Sequence, residues 1–295
     1  LGLTRAVIDS DSANGVLPSA TTRLGTSLFS EFGFSKVTVN AVDGIDIVAD
    51  TAMLVQQKNL VVDPLTVAQQ AGGRELASFA AVQVLPDAQR SAASVALAVR
   101  GGGQDPEAGL NLREGASIVT DPRGEVTLSA VNGLAIDGRI SAPGGRIGMT
   151  LNGPIDLSAS DLRIGDTAQL TVAGTFVATP NDRGLVQGTL INGGSITLDA
   201  RNAGLQIEGG ARLDVSGISR TVDVVTSGEQ PGFSRQTLEG HAGALTLKTQ
   251  GRTVLDGALL GQGGSAAAAG GSFALESNRP DGQVELPDAR RIVVT

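Results

Sequence analysis

The sequence predicts an all-β fold, a right-handed parallel β-helix with three short strands per coil and two larger insertions. Short runs that alternate apolar and polar residues recur in groups of three, which is the pattern of half-buried strands. Gly and Asn lie between these runs, where sharp corners need residues that tolerate positive φ. Gly accounts for 41 of 295 residues but aromatic residues for only 2%, so we expect a narrow interior of Leu, Ile, Val and Ala.

Residues 194–217, GSITLDARNAGLQIEGGARLDVSG, contain one complete unit of this pattern. Its three runs place apolar side chains on one side of each strand, in the pairs Ile196/Leu198, Leu205/Ile207 and Leu213/Val215. A single coil of this kind cannot bury its own apolar face and needs similar coils above and below it. The unit therefore predicts a stack.

The same frame recurs along the chain. We expect first strands to begin near Val126, Ile147, Leu170 and Ile196, at intervals of 21, 23 and 26 residues by subtraction, within the range typical of solenoids. Asp137-Gly138 and Asp256-Gly257 are predicted to occupy the same corner of their coils. Eight coils at about 4.8 Å each would make a rod of roughly 40 Å. Further inward pairs are Val37/Val39, Ile45/Ile47, Met53/Val55, Val95/Leu97, Leu110/Leu112, Leu134/Ile136, Ile155/Leu157, Leu162/Ile164, Leu245/Leu247, Thr253/Leu255, Phe273/Leu275, Val284/Leu286 and Ile292/Val294.

Residues 1–34 are predicted to be an irregular entry or lateral segment, and residues 35–295 the parallel β-helix. The pattern breaks at about 57–93, where a short helix is expected over 74–84, and again at about 218–242. We interpret both stretches as insertions beside the stack. The only aromatic cluster, Phe29, Phe32 and Phe34, is expected to pack in the core at the edge of the first coil.

An antiparallel sandwich or barrel is the rival fold, because Asn132-Gly133, Asn152-Gly153 and Asn192-Gly193 are strong hairpin signals. Hairpins give no reason for a three-strand unit to repeat with similar corners, so the parallel β-helix is favoured. Right-handed winding follows from the handedness of parallel crossover connections.

Charge and composition exclude several classes of function. A formal charge of −8 with pI near 4.7 argues against a nucleic-acid surface, which needs clustered Lys and Arg. The chain has no Cys, so it has neither disulfides nor thiolate metal ligands. No stretch approaches the roughly 18 apolar residues of a membrane span. Since the chain begins at Leu1 without a leader, we interpret it as a fragment.

The quoted unit, together with GEVTLSAVNGLAIDGRISAPGGR and GALTLKTQGRTVLDGALLGQGGS, resembles the coil repeats of bacterial two-partner secretion exoproteins, the filamentous haemagglutinin family. The resemblance covers roughly residues 35–295 and points to an interior shaft fragment. It implies a secreted or cell-surface location, export through an outer-membrane β-barrel transporter, and adhesion to a host or bacterial surface ligand or glycan.

Candidate chemistry in the sequence is sparse, and no catalytic, cofactor-binding or metal-binding residue is assigned. A carbohydrate-cleaving or carbohydrate-binding β-helix is the alternative function, because neighbouring coils could pair two acids. Acidic side chains that point outward more commonly keep the outer face of a sheet hydrated than take part in catalysis. The lone His241 is interpreted as a loop residue. We expect a rod whose two insertions contact the partner. The acids considered are Asp137, Asp156, Asp199, Asp214 and Asp256.

Overall fold

The computed structural model describes residues 3–69, 72–73, 75–101, 109–153, 161–201, 203–226 and 232–277. Nearly all regular structure in these ranges is β, and the two largest sheets are parallel and of 14 and 6 strands. The predicted parallel β-helix is therefore confirmed. The second and third strands of the last coil are predicted around 284–294, which lies outside the described residues. The predicted inward pair Ile155/Leu157 also lies outside them.

Each coil contributes one strand to each of three stacked positions. First strands are β3 (Lys36–Ile47), β7 (Ser94–Val99), β10 (Glu125–Ala130), β13 (Arg146–Asn152), β18 (Ser195–Arg201), β23 (Ala244–Thr249) and β26 (Ser272–Ser277). Second strands are the latter half of β3, then β8 (Leu110–Leu112), β11 (Leu134–Ile136), β14 (Asp161–Ile164), β19 (Gly204–Ile207) and β24 (Thr253–Leu255). Third strands are β4 (Ala52–Val55), β9 (Ser117–Thr120), β12 (Arg139–Ser141), β15 (Gln169–Thr171), β20 (Arg212–Asp214) and β25 (Ala258–Leu260).

The first and second positions belong to one curled sheet because the long strand β3 runs through both. The third strands form the separate six-stranded sheet. Register is kept from coil to coil: Ile147 pairs with Ile196, and Ile196 pairs with Leu245. Equivalent apolar side chains are therefore stacked along the inside of the helix, and Ile196 and Leu198 are fully buried there.

A ladder of glycines marks the corner that precedes the first strands. From Gly145 onward, the amide of the residue after each ladder glycine donates to the carbonyl of the ladder glycine one coil earlier, as from Arg146 to Gly124 over 2.9 Å and from Ser195 to Gly145 over 3.0 Å. A Cβ at Gly194 would lie 1.9 Å from the Gly145 oxygen, so the stacked backbones exclude any side chain here. The ladder comprises Gly124, Gly145, Gly194, Gly243 and Gly271.

Two corner predictions are settled by the strand order. Asp137-Gly138 lies between β11 and β12, and Asp256-Gly257 lies between β24 and β25, so both occupy the corner between the second and third strands as predicted. The antiparallel interpretation of Asn132-Gly133 is wrong, because this dipeptide joins two successive strands of a parallel coil.

In the fourth coil, the strands occupy different sides of the coil from those that the sequence pattern predicts. The sequence pattern predicts Leu162/Ile164 as the third strand of a coil after Ile147/Met149 and Ile155/Leu157. Leu162 instead pairs with Leu134 and Leu205, so it belongs to a second strand. Leu170 pairs with Ile140 and Leu213 and belongs to a third strand, although a first strand was expected there. Alternation identifies which side chains point inward but not which side of the coil a strand occupies, since all sides bury the same residue types.

The amino-terminal segment is more regular than the predicted irregular entry. Strands β1 (Leu3–Asp9) and β2 (Thr21–Gly25) extend the curled sheet in parallel, and β1 pairs with the latter half of β3. A 3₁₀ turn over Thr26–Phe29 follows. Of the three phenylalanines expected in the core, Phe29 is buried, whereas Phe32 and Phe34 are exposed, so the prediction is wrong for these two.

The first insertion contains an antiparallel hairpin rather than the predicted helix over 74–84. Strands β5 (Asn59–Val62) and β6 (Ala80–Gln83) pair with each other, and a short helix α1 (Pro64–Gln69) and a 3₁₀ turn (Leu76–Ser78) lie between them. Asp63 precedes α1 and accepts a hydrogen bond from the Leu65 amide over 3.1 Å, the usual arrangement of an N-cap with Pro at the first helical position.

Candidate functional site

The three hairpins among the described residues all leave the stack at the same corner, the one between a third strand and the next first strand. We call it the third corner. In two coils this corner is short, at residues 121–124 between β9 and β10 and at residues 142–145 between β12 and β13. In the other described coils the same corner carries the segments 56–93, 172–194, 215–243 and 261–271. The insertions therefore protrude along one side of the rod.

Two of these segments are antiparallel hairpins, which we call the paired hairpins. The first is formed by β16 (Thr175–Ala178) and β17 (Gly188–Ile191), and the second by β21 (Ser219–Thr226) and β22 (Gly232–Glu239). The second hairpin lies within the predicted insertion 218–242, whereas the sequence pattern around residues 181–186 predicts only a loop within a coil. The 49 residues between the first strands at Ile147 and Ile196, by subtraction, are the signal that could have identified the first hairpin.

The paired hairpins pack against each other through polar and aromatic contacts. The Val186 amide donates to Oδ2 of Asp223 over 2.8 Å, and the Asp223 amide donates to the Val186 carbonyl over 2.8 Å. The guanidinium of Arg220 lies 5.6 Å from the ring centroid of Phe176, within the range of a cation–π interaction. These contacts hold two hairpins from successive coils as one lateral unit.

The far end of this unit exposes apolar side chains. Val225 and Phe233 lie directly opposite each other across β21 and β22, and their relative exposures are 60% and 44%. Directly opposite side chains in a hairpin reinforce each other's packing, so this pair forms a local apolar contact surface. Val186 and Val224 add to the exposed apolar area nearby.

His241 connects the second hairpin to the corner segment 261–271. Its backbone amide donates to Oδ1 of Asn192 over 3.0 Å, and its Nδ1 accepts the Ala269 amide over 2.9 Å. Because Nδ1 is the acceptor, the neutral ring carries its hydrogen on Nε2. The ring therefore positions the Ala-rich corner, which agrees with the interpretation of His241 as a loop residue.

The first insertion is fixed to the stack by an ion pair at a short third corner. The guanidinium of Arg90 binds both carboxylate oxygens of Asp121, with an Nε–Oδ2 distance of 3.0 Å. It also contacts Asp87 and the Leu85 carbonyl. The hydrogen bond to Asp121 raises the pKa of Arg90 above its ordinary value, although burial opposes this shift. Beyond this anchor the insertion exposes Leu60, Leu65, Val67, Leu76, Val82 and Val84.

The acids considered for catalysis are dispersed. Asp137 lies at a corner and pairs with Arg163 over 2.6 Å, while Asp214 lies on a third strand and pairs with Arg212 over 2.9 Å. Asp199 is on the outer side of β18, and Asp256 is at a corner three coils after Asp137. Asp156 lies outside the described residues. The four described acids are thus not brought together in pairs by the register.

Arg163 instead joins three successive coils. It contacts Asp137 of the preceding coil over 2.6 Å and Glu208 of the following coil over 3.4 Å. The hydrogen bond to Asp137 raises the pKa of Arg163, with burial acting in the opposite direction. This arrangement ties the coils together at the corner between the second and third strands and has the geometry of a structural contact.

Within the described ranges, no group of three or more His, Asp or Glu side chains is placed to hold a metal ion. Likewise, none of the helices described here has the length and apolar character needed to cross a membrane.

Comparisons with protein-family models, with curated proteins and with solved structures find no match to this chain. Function is therefore inferred from the geometry of the rod and of its lateral segments.

Proposed function

We propose that the chain is a structural and adhesive rod segment of a large secreted or surface-displayed bacterial exoprotein of the filamentous haemagglutinin type. One observation carries this proposal: the three described hairpins, each with exposed apolar side chains, leave a regular stack at the same third corner. A stack keeps its register when one corner is lengthened, because each coil contacts only its neighbours. Variable contact loops can therefore be added along one side without altering the rod.

The apolar pair Val225/Phe233 is the proposed contact point of the paired hairpins. Exposed aromatic side chains and apolar patches mark contact surfaces, whereas the outer sides of the first strands carry mainly small and polar residues such as Thr127 and Thr197. Partner binding is accordingly expected at the hairpins and at the first insertion. The ligand class is a host or bacterial surface protein or glycan.

The test measures binding of the fluorescently labelled chain to epithelial cells, to bacterial cells and to immobilised glycans. The double variant Val225→Asp/Phe233→Asp is expected to reduce binding at least tenfold. Thr237→Asp, on the same hairpin, provides the control for added charge and should retain binding. Saturable binding that survives both changes would remove the hairpin from the proposal, and turnover of a polysaccharide without surface binding would replace adhesion by enzymatic activity.

A further inference from the structure

The two short third corners, residues 121–124 and 142–145, are the same kind of turn. In each, the second residue is Pro, and the amide of the fourth residue donates to the carbonyl of the first over 2.9 Å. The third residue has a positive φ, +67° at Arg123 and +60° at Gly144. These are the features of type II turns, whose third residue is ordinarily Gly.

Arg123 is strained in this turn. A residue with a Cβ crowds its own backbone in the left-handed region, and Gly avoids this strain at the next short corner. Gly144 has no room for a side chain, because a Cβ there would lie 2.3 Å from Cγ2 of Ile191. Backbone strain of this kind persists mainly at functional sites. The guanidinium of Arg123 is therefore a candidate for a functional role that Gly could not fill.

The side chain of Arg123 is exposed and has no hydrogen bond or ion pair within the described part of the chain. The same holds for Arg146, which follows the next short corner. The backbones of the two residues adjoin, because the Arg123 amide donates to the Pro143 carbonyl and the Arg146 amide to the Gly124 carbonyl, both over 2.9 Å. Two free guanidinium groups are therefore held on adjacent coils.

The acidic side chains nearby leave these two cations a net positive charge. Both carboxylate oxygens of Asp121 and one of Asp87 are bound by Arg90. Glu125 lies in the same row as Arg146, is exposed, and forms no ion pair in the described ranges. Two unpaired cations thus accompany one unpaired acid, which makes the short corners locally positive on a chain of formal charge −8.

The two arginines lie between two protruding lateral segments. The first insertion is held at Asp121, two residues before Arg123, and the first of the paired hairpins returns to the stack over Gly144, at Ile191. The corners from which these segments leave are three coils apart, which is roughly 14 Å along the rod. The two short corners therefore form the floor of a recess that has room for one extended chain.

We propose that Arg123 and Arg146 bind an acidic peptide segment of a partner protein, which lies extended in this recess. Each guanidinium donates two hydrogen bonds to a carboxylate, a geometry that Arg offers and Lys does not. Carboxylates at alternate positions of an extended segment are about 7 Å apart, which suits cations on adjacent coils. A peptide is favoured over an acidic glycan because sugar rings commonly stack on Trp or Tyr, and the chain has neither. The site is separate from the contact proposed for Val225 and Phe233 and does not depend on it.

The test titrates a fluorescently labelled, amidated hexaglutamate peptide with the whole chain and follows fluorescence polarisation. We expect saturable binding that weakens as the salt concentration rises. Arg123→Gln and Arg146→Gln should each weaken it about tenfold or more, and Arg123→Lys should weaken it less, because the charge remains. The matched control is Arg252→Gln. Arg252 is also exposed and without a polar side-chain partner in the described ranges, but it lies between a first and a second strand, so its loss should leave the affinity unchanged.

Arg123→Gly separates recognition from support of the fold. It supplies the residue that a type II turn prefers, so the midpoint of urea unfolding should stay the same or rise while peptide binding weakens about tenfold or more. A lower midpoint would assign the side chain of Arg123 a structural role and overturn the proposal.

A labelled hexagalacturonate oligosaccharide, which carries the same number of carboxylates, distinguishes the two kinds of occupant. Tighter binding of this oligosaccharide than of hexaglutamate would overturn the peptide and identify an acidic glycan instead. Absence of saturable peptide binding, or an equal loss of affinity in Arg252→Gln and Arg123→Gln, would overturn the site itself.

Discussion

The carboxylate of Asp121 receives the side chain of Arg90 from an insertion 31 residues earlier in the sequence. The two side chains are only 7% and 3% exposed, and the guanidinium binds both carboxylate oxygens. Such planar two-point pairing combines charge with fixed geometry. It therefore joins the first insertion to the stack.

Arg90→Met is expected to destabilise the protein by about 3 kcal/mol, because it leaves a buried carboxylate without its partner. Hydrogen exchange should show faster opening of residues 59–83 before the stack itself opens. Lys58→Met is the matched control: it removes the more exposed pair with Glu31 and should cost less than about 1 kcal/mol. Equal losses of unfolding free energy in the two variants would contradict the anchoring role of Arg90.

Gly194→Ala tests the glycine ladder. The added Cβ would lie 1.9 Å from the Gly145 carbonyl oxygen, a backbone atom that cannot move without disturbing two coils. We expect a loss of about 3 kcal/mol in urea unfolding, at the upper end of typical overpacking costs.

Gly148→Ala is the control for this substitution. Gly148 lies on the outer side of β13, and a Cβ added to it would meet no atom of a non-adjacent residue within 4 Å. The change should therefore be neutral or stabilise by about 0.5 kcal/mol. A Gly194→Ala protein as stable as this control would show that the corner backbones are not tightly stacked.

The parallel stack could be predicted because its signal is repeated many times. Each coil buries apolar pairs such as Ile196/Leu198 at the same spacing, and corner pairs such as Asp137-Gly138 recur independently of that alternation. Agreement between strand patterning and corner residues is what makes a local sequence specify the fold.

The lateral segments could not be predicted to the same degree. The hairpin strands β16 and β17, Thr-Phe-Val-Ala and Gly-Thr-Leu-Ile, are short and rich in apolar residues like the coil strands, so composition and length do not separate the two. Two contacts depend on where each coil lies along the axis of the rod: the pairing of Arg90 with Asp121 and the contact of Arg220 with Phe176. These axial positions follow only from the three-dimensional stack, once the lengths of all corners are known.

The lowered pKa of Asp214 predicts how the unfolding free energy changes at acid pH. Burial raises the pKa of its carboxyl group, but hydrogen bonds from Ser216 and the contact with Arg212 outweigh this and hold the pKa below its ordinary value. A lowered folded-state pKa stabilises the fold above the unfolded value of about 3.9, and this contribution is lost as pH falls through the folded pKa. Asp214→Asn should therefore lower stability at neutral pH.

The measurement is urea unfolding of both proteins between about pH 7 and pH 2, a range that brackets the unfolded-state pKa of Asp. The difference in unfolding free energy should be constant above about pH 5 and should shrink below about pH 4, because the original side chain becomes neutral there. A difference that stays constant to the lowest pH would show that the charge of Asp214 does not stabilise the third strand.

Leu198→Asp tests the inward assignment at the centre of the reference coil. Leu198 is fully buried and pairs with Met149 and Leu247 of the adjacent coils. Truncation of such a residue costs about 2–5 kcal/mol, and a buried carboxylate adds a desolvation cost.

The neighbouring Thr197 points outward, so Thr197→Asp should change stability by no more than about 0.5 kcal/mol. Because stability in a solenoid depends on adjacent interfaces, hydrogen exchange should show Leu198→Asp opening β13, β18 and β23 first. Unchanged thermal unfolding of Leu198→Asp would mean that the side chain does not face the core.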